Sequence, residues 1–280
     1  MAKTVLITGC SSGFGLSLTK TLLAAGWEVI ATARHLDRCD ELKKLTHPAL
    51  TLITLDVTKE TDLQAINDYF INERNCRLDC LINNAGYGLL GPLEELTDEQ
   101  IRQQMEVNLF GVIFLTKKCL PFLRNTSGRI INISSLMGYL AFPLQSLYVT
   151  SKFALEGFAE ALYYELAPLG VQVALIEPGA HGTYFGKNAI LATVENALPV
   201  YQQQRTNFSR FRQKLSQKRN GSSDKLALSV LKLLNQPLMP LRKRIGYDAN
   251  ALYWLKRWMP TFLFNRLMHF FYKRIFLVSV

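Results

Sequence analysis

Tyr148 and Lys152 stand four residues apart in a stretch of helical spacing, Tyr-Val-Thr-Ser-Lys, which sets a phenol and an ammonium on one helix face. A free tyrosine has a pKa of about 10, too high for ready proton exchange near neutral pH, and a neighbouring cation favours its phenolate. The pair is therefore a candidate acid/base centre. Far upstream, Thr8-Gly9-Cys10-Ser11-Ser12-Gly13-Phe14-Gly15 joins a predicted strand to a helix whose apolar positions run through Leu16, Leu18, Leu22 and Leu23. Glycines in such a place permit the positive φ of a tight turn and let backbone N–H groups approach a pyrophosphate. The helix N-terminus adds partial positive charge. Gly9, Ser11, Ser12, Gly13, Phe14 and Gly15 are thus a candidate phosphate cradle.

These groups need a scaffold, and the chain supplies short β-branched runs separated by amphipathic stretches. The runs are Thr4 to Thr8, Trp27 to Thr32, Thr51 to Asp56, Asp79 to Asn83, Arg129 to Ser134 and Val171 to Pro178. Strands apolar on both faces, alternating with helices, predict a parallel sheet covered on both sides. With right-handed crossovers this is a doubly wound α/β fold of Rossmann type. The 280 residues suit one domain, with residues 1–185 as cofactor-binding and catalytic core and 186–280 as lid and C-terminal helical cap. Gly182 to Gly221 reads as a polar, weakly periodic, mobile lid. Asp224 to Asn235 resumes helical spacing, Leu241 to Tyr247 is a candidate last strand, and aromatic, basic segments follow at Ala249 to Met259 and Thr261 to Val278.

Hydrophobic residues at 49% and charged residues at 19% exclude a disordered or collagenous chain. The net charge of +10 is unevenly spread: residues 1–200 hold 16 Lys+Arg against 20 Asp+Glu, and residues 201–280 hold 16 against 2. A basic excess confined to one end points to an anionic partner there. The five cysteines show neither paired nor ligand spacing, so no disulfide framework and no metal site is expected. Met1 leads straight into a strand pattern without the leader of a signal peptide, which predicts an intracellular, cytoplasmic setting.

The glycine spacing is TGxxxGxG rather than the GxGxxG of long-chain dehydrogenases. With Asn83-Asn84-Ala85-Gly86, Asn108, Ser135, Tyr148-Val-Thr-Ser-Lys152 and Pro178-Gly179 following in order, the chain resembles the short-chain dehydrogenase/reductase superfamily over roughly residues 1–185. Thr-Gly-Cys-Ser-Ser-Gly-Phe-Gly, Asn-Asn-Ala-Gly-Tyr-Gly and Pro178-Gly179-Ala-His-Gly-Thr183 look like its 17β-hydroxysteroid and retinol dehydrogenase branch. The resemblance implies a nicotinamide-dependent oxidoreductase. Tyr148 would exchange the proton of a carbonyl or alcohol oxygen, and Lys152 would hold the nicotinamide ribose. Ser135 rather than Ser134 would steady the oxygen, and Asn108 would anchor a water relaying protons to Lys152. Asp56 would take the adenine amino group, with Val57 flanking the ring. Asn83, Ala85 and Gly86 would line the cofactor, Asn84 being structural, and Ile133, Pro178, Gly179 and Thr183 would meet the nicotinamide half. His181 is read as an ordinary loop histidine and Cys10 as packing.

The second strand ends Ala31-Thr32-Ala33-Arg34, with no acid to hold ribose hydroxyls. A guanidinium there pairs with a 2′-phosphate, and Ser12 can add a donor, so NADP(H) is favoured over NAD(H). The rival readings are NAD-linked alcohol oxidation and a membrane-associated, non-catalytic cofactor-binding module. In Thr261 to Val278, Asn265, His269 and Lys273 recur at four-residue spacing, with Leu263, Leu267, Phe270, Phe271 and Leu277 largely opposite. Such a cationic aromatic helix, with Trp254, Lys256, Arg257 and Trp258 beside it, either lies on an anionic membrane surface or packs over the pocket or a partner copy. No nucleic-acid partner is expected, since no binding fold accompanies the basic residues. The substrate is expected to be small and lipophilic, steroid-, retinoid- or fatty carbonyl-like, and the protein a homodimer or homotetramer.

Overall fold

The computed structural model describes residues 2–179, 190–191, 197–217 and 223–277. Its first half alternates strand and helix: β1 (Thr4–Ile7), α1 (Gly13–Ala24), β2 (Glu28–Ala33), the short α2 (Asp40–Lys43), β3 (Leu50–Thr54), α3 (Glu60–Asn72) and β4 (Cys80–Asn83). After β5 (Leu89–Leu90) come α4 (Asp98–Met105), α5 (Gly111–Arg124), β6 (Arg129–Ile133), α6 (Ser146–Leu166) and β7 (Gln172–Pro178). The remainder holds β8 (Ile190–Leu191), α7 (Gln202–Gln217), α8 (Ser223–Leu234), β9 (Arg242–Ile245), α9 (Tyr247–Trp258) and α10 (Thr261–Tyr272).

Seven strands form one parallel sheet in the order β3-β2-β1-β4-β6-β7-β9, while β5 and β8 make a separate parallel pair. The chain winds outward from β1 to β3, then returns to place β4 on the other side of β1. That reversal opens a crevice beyond the carboxyl ends of β1 and β4, the usual ligand site of such sheets. The expected doubly wound fold is thus the observed one, in a single domain with C-terminal helices.

Alternation along the central strands divides the core. Val5 and Ile7 face a cluster with Leu18, Leu22, Leu226 and Val230, where α1 and α8 cover one side. Leu6 faces Phe70, Leu115 and Leu155, from α3, α5 and α6 on the other. The edge strand β9 is cationic, yet it pairs in register with β7 because its charges are answered. Arg242 bridges Glu156, Glu160 and Glu177, and Arg244 also reaches Glu177.

Two expectations need correction. The described part of the polar segment, 197–217, holds the helix α7, because Phe208 and Phe211, one turn apart, give an otherwise polar stretch a face that packs on Phe142 and Phe276. In α10 the packed stripe differs from the one periodicity suggested. Phe264, Met268, Tyr272 and Phe276, at four-residue spacing, turn inward, whereas Leu263, Phe270, Phe271 and Leu277 stay exposed. Two apolar stripes were available, and contact with Leu136, Leu140 and Phe208 selected one.

Candidate active site

The glycine loop leaves β1 and folds back on the end of β4. Gly9 and Gly13 have φ of +70° and +58°, in the left-handed region that favours glycine. A Cβ on Gly9 would lie 2.9 Å from Ala85 Cα, and one on Gly15 would lie 2.3 Å from the Gly9 carbonyl oxygen. Thr8 ties the two strand ends together, its Oγ1 accepting from the backbone N–H groups of Asn84 (3.0 Å) and Ala85 (2.9 Å). No acidic side chain enters the first turn of α1, so nothing offsets the positive end of its dipole. These features fit a bound pyrophosphate.

Gly9, Ser11, Ser12, Gly13 and Phe14 line one end of a cavity of about 680 Å³. Gly15 lies beneath the loop as a packing residue. Arg34, Asp56 and Val57 line the wall beyond it, at the ends of β2 and β3. The Asp56 carboxylate accepts from the N–H (3.0 Å) and hydroxyl (2.8 Å) of Thr58, which shapes that turn. Ala85 and Gly86 line the cavity as expected, and Asn83 does not. Its amide donates to Thr116 and Asn132 under the sheet, because a strand residue so oriented faces the helices. Asn84 lines the cavity instead, and its Nδ2 also donates to the carbonyls of Thr8 (2.8 Å) and Gly9 (3.1 Å), bracing the loop.

The same cavity contains Ile133, Ser135, Tyr148, Lys152, Pro178 and Gly179. Tyr148, Lys152 and Glu156 succeed one another at one-turn spacing on the buried face of α6. The Ser135 hydroxyl stands beside the Tyr148 phenol, and its Oγ accepts from Met137 N–H at 3.1 Å. The Lys152 ammonium donates to the Ile133 carbonyl at 2.8 Å and sits 5.8 Å from the Tyr148 ring centre.

Burial pushes the Tyr148 phenol upward, and the neighbouring Ser135 hydroxyl opposes this. Burial also pulls Lys152 down to about 8, with Glu156 acting against it. The sequence argument expected the ammonium to draw the phenol toward neutrality. Desolvation of the phenol dominates, and of the two groups the lysine lies nearer neutral pH.

Ser134 also lines the cavity, yet among the described residues its buried hydroxyl has no partner, whereas Ser135 is the serine beside Tyr148. Asn108 stands in a π-helical turn, Glu106–Phe110, a distortion that periodicity does not announce. Its amide accepts from the N–H of Tyr87 (3.1 Å) and donates to the Tyr87 carbonyl (2.9 Å) and Ser151 hydroxyl (3.1 Å). It therefore meets the residue before Lys152 and not Lys152 itself. Thr183 and His181 lie outside the described residues.

Sequence reading missed the far end of the cavity. Phe208, Phe211 and Arg212 of α7 and Asp248 and Leu252 of α9 join Leu136, Met137, Leu140 and Phe142 in its wall. Asp248 comes so close to Gly179 that a Cβ there would lie 2.0 Å from Asp248 Oδ1. Only the Phe208-Ser-Arg-Phe211 spacing hinted at this. Behind α6, Glu177 shares Arg242 with Glu156 and also bridges Arg244, and burial raises its carboxyl to about 7.

Comparison with known proteins agrees with this geometry. A family profile described as short chain dehydrogenase matches residues 3–191. The uncharacterized oxidoreductase YusZ of Bacillus subtilis is 42% identical over 191 residues, covering 65% of this chain and 66% of that protein, just under two thirds of its length. A 3-ketodihydrosphingosine reductase of Bacteroides thetaiotaomicron is 33% identical over 271 residues, covering 96% of this chain and 97% of the other. The crystal structure of a short-chain dehydrogenase from Streptomyces avermitilis superposes with a TM-score of 0.78 at 34% identity, covering 92% of this chain and 97% of that one.

Proposed function

Since the chain belongs to the short chain dehydrogenase family, we propose that it interconverts a carbonyl and an alcohol on a lipophilic substrate, with NADP(H) as cofactor. The observation that carries this reading is the buried Tyr148 phenol, set with the half-buried Ser135 and with Lys152 in the cavity that the glycine loop enters. The cofactor, when bound, supplies or accepts a hydride at the reacting carbon. In reduction, Tyr148 Oη gives its proton to the carbonyl oxygen, and burial suits this role by keeping the phenol protonated until the oxygen demands it. Ser135 Oγ donates to the same oxygen as charge gathers there.

Lys152 has two tasks. Its ammonium, held by the Ile133 carbonyl, binds the nicotinamide ribose hydroxyls and stabilises the phenolate that Tyr148 becomes. With a pKa of about 8 it also takes a proton from solvent readily near neutral pH, along a route that Asn108 orders through Ser151. Asp56 and Val57 receive the adenine, and Arg34, at the end of β2, pairs with a 2′-phosphate. A serine dehydrogenase complexed with NADP+ has a related fold, with a TM-score of 0.74 at 25% identity over 86% of this chain and 94% of the other. The apolar wall of Leu136, Met137, Leu140, Phe142, Phe208 and Leu252 favours a steroid-, retinoid- or fatty-type carbonyl.

Replacing Tyr148 by Phe tests the reading. Turnover of a fatty or steroid carbonyl with NADPH should fall about 10²–10⁴-fold, while NADPH binding, followed by fluorescence, stays within a factor of about two. A variant that keeps most of its activity would remove Tyr148 from the chemistry. Self-association as a dimer or tetramer is a further part of the proposal. Phe114 of α5 and Phe153 and Tyr164 of α6 are 45%, 42% and 64% exposed, an apolar face a second copy can cover.

A further inference from the structure

The outer surface of α9 and α10 sets large aromatic side chains among cations. On α10 and the turn after it, the stripe ending in Phe276 is used for packing, and the opposite flank leaves Phe262 64%, Leu263 43% and Phe270 58% exposed. On α9, Trp254 and Trp258 stack with ring centres 6.3 Å apart and are 49% and 79% exposed. A grouping of this size on a soluble surface marks an interaction site.

Lys256, Arg257, Arg266, Lys273 and Arg274 are exposed on the same elements, and the one acid between 247 and 277 is Asp248, which faces the cavity. At about 100° per residue, Arg266, Lys273 and Arg274 fall on the same outward half of the helix as Phe262, Leu263 and Phe270. Long basic side chains so placed lay their stems along apolar surface and carry their charges outward.

Charge decides what covers this face. A second copy meeting it across a two-fold axis would set Arg257, Arg266, Lys273 and Arg274 against the same four, Lys256 being turned back onto the Tyr139 carbonyl. An anionic leaflet answers the cations and accepts the rings at headgroup depth. We propose that this face docks the protein on an anionic lipid bilayer, with Trp254, Trp258, Phe262 and Phe270 in the headgroup layer. The protein lies on the bilayer by this face: among the described residues no helix is long and apolar enough to cross a membrane. Because α9 also gives Asp248 and Leu252 to the cavity wall, a docked bilayer lies about one helix diameter, ~10 Å, from the substrate end.

Docking needs no turnover, so its failure would leave the catalytic reading standing. The third tryptophan, Trp27, is 6% exposed, which makes Trp254 and Trp258 the reporters of a new environment. The full chain, mixed at low salt with vesicles of phosphatidylcholine containing about one third phosphatidylserine, should show a blue-shifted emission and co-sediment. Pure phosphatidylcholine should retain much less. Trp258→Ala with Phe262→Ala, and separately Arg266→Glu with Lys273→Glu, should each weaken binding at least about tenfold without changing NADPH binding. No co-sedimentation with the anionic vesicles would overturn the proposal. So would a dimer, seen by sedimentation velocity, that Trp258→Ala with Phe262→Ala dissociates, since the face would then belong to a second copy.

Discussion

At one end of the cavity the wall is backbone, and at the other it is side chain. The loop from Gly9 to Phe14 presents main chain to a ligand and packs on Ala85 and Asn84 so closely that a Cβ at either of two glycines has no room. The far end is assembled from Met137 and Phe142 after β6, Phe211 on α7 and Leu252 on α9, side chains that meet only because distant elements fold over the sheet. The first arrangement admits one shape, because close-packed backbone cannot give way. The second can be reshaped one side chain at a time.

Substitutions at the two ends should therefore behave differently. Gly15→Ala would press a methyl against the Gly9 carbonyl oxygen and should cost about 3 kcal/mol or more in stability, measurable by denaturant unfolding, with NADPH binding weakened about 100-fold. A variant that binds NADPH normally would mean the loop has slack. Arg34→Ala acts on the same end without altering packing. NADPH affinity should drop by about tenfold or more, as for loss of one charge-assisted contact, with NADH affinity unchanged; equal effects on both would assign Arg34 to the surface.

Lys152 joins the two ends, and its burial has a sign that can be checked. Its folded pKa of about 8 lies below the ordinary lysine value of 10.5. Between those values the unfolded chain holds more protons, so this group makes stability rise with pH from about 8 to 10.5. Below 8 the buried charge is a standing penalty. Lys152→Met should thus gain roughly 1–3 kcal/mol at pH 7, read from the unfolding midpoint, lose the gain by about pH 10, and be inactive. Stability unchanged at both pH values would mean that the ammonium pays no burial penalty. Phe211→Ala should be the mildest change. The KM for an apolar substrate should rise a few-fold, in line with about 1 kcal/mol of lost apolar contact at a partly open wall, while the dissociation constant of NADPH stays fixed.

The legibility of the chain follows the same division. Strand runs and the glycine loop could be read directly because their information is local: β-branched alternation, a turn that needs glycine, a helix that follows at once. Tyr148 and Lys152 could be read because one turn of α6 is enough to bring them together. Asn84 braces the loop as expected but also lines the cavity in place of Asn83, since neighbouring residues at a strand end face opposite sides and only the helices above and below decide which side is lined. The π-helical turn that holds Asn108 and the Arg242 cluster behind Glu156 left no readable pattern.

From its sequence alone, this protein's doubly wound sheet, its glycine loop and the placing of Tyr148 and Lys152 on one helix face were determined, by patterns local in the chain. Tertiary structure alone decided that Phe208, Phe211 and Leu252 close the cavity, that Asn84 rather than Asn83 lines it, and that α10 turns Phe264 inward and Phe270 outward. In each of these cases local preference allowed two answers, and a contact between elements far apart in the chain chose one.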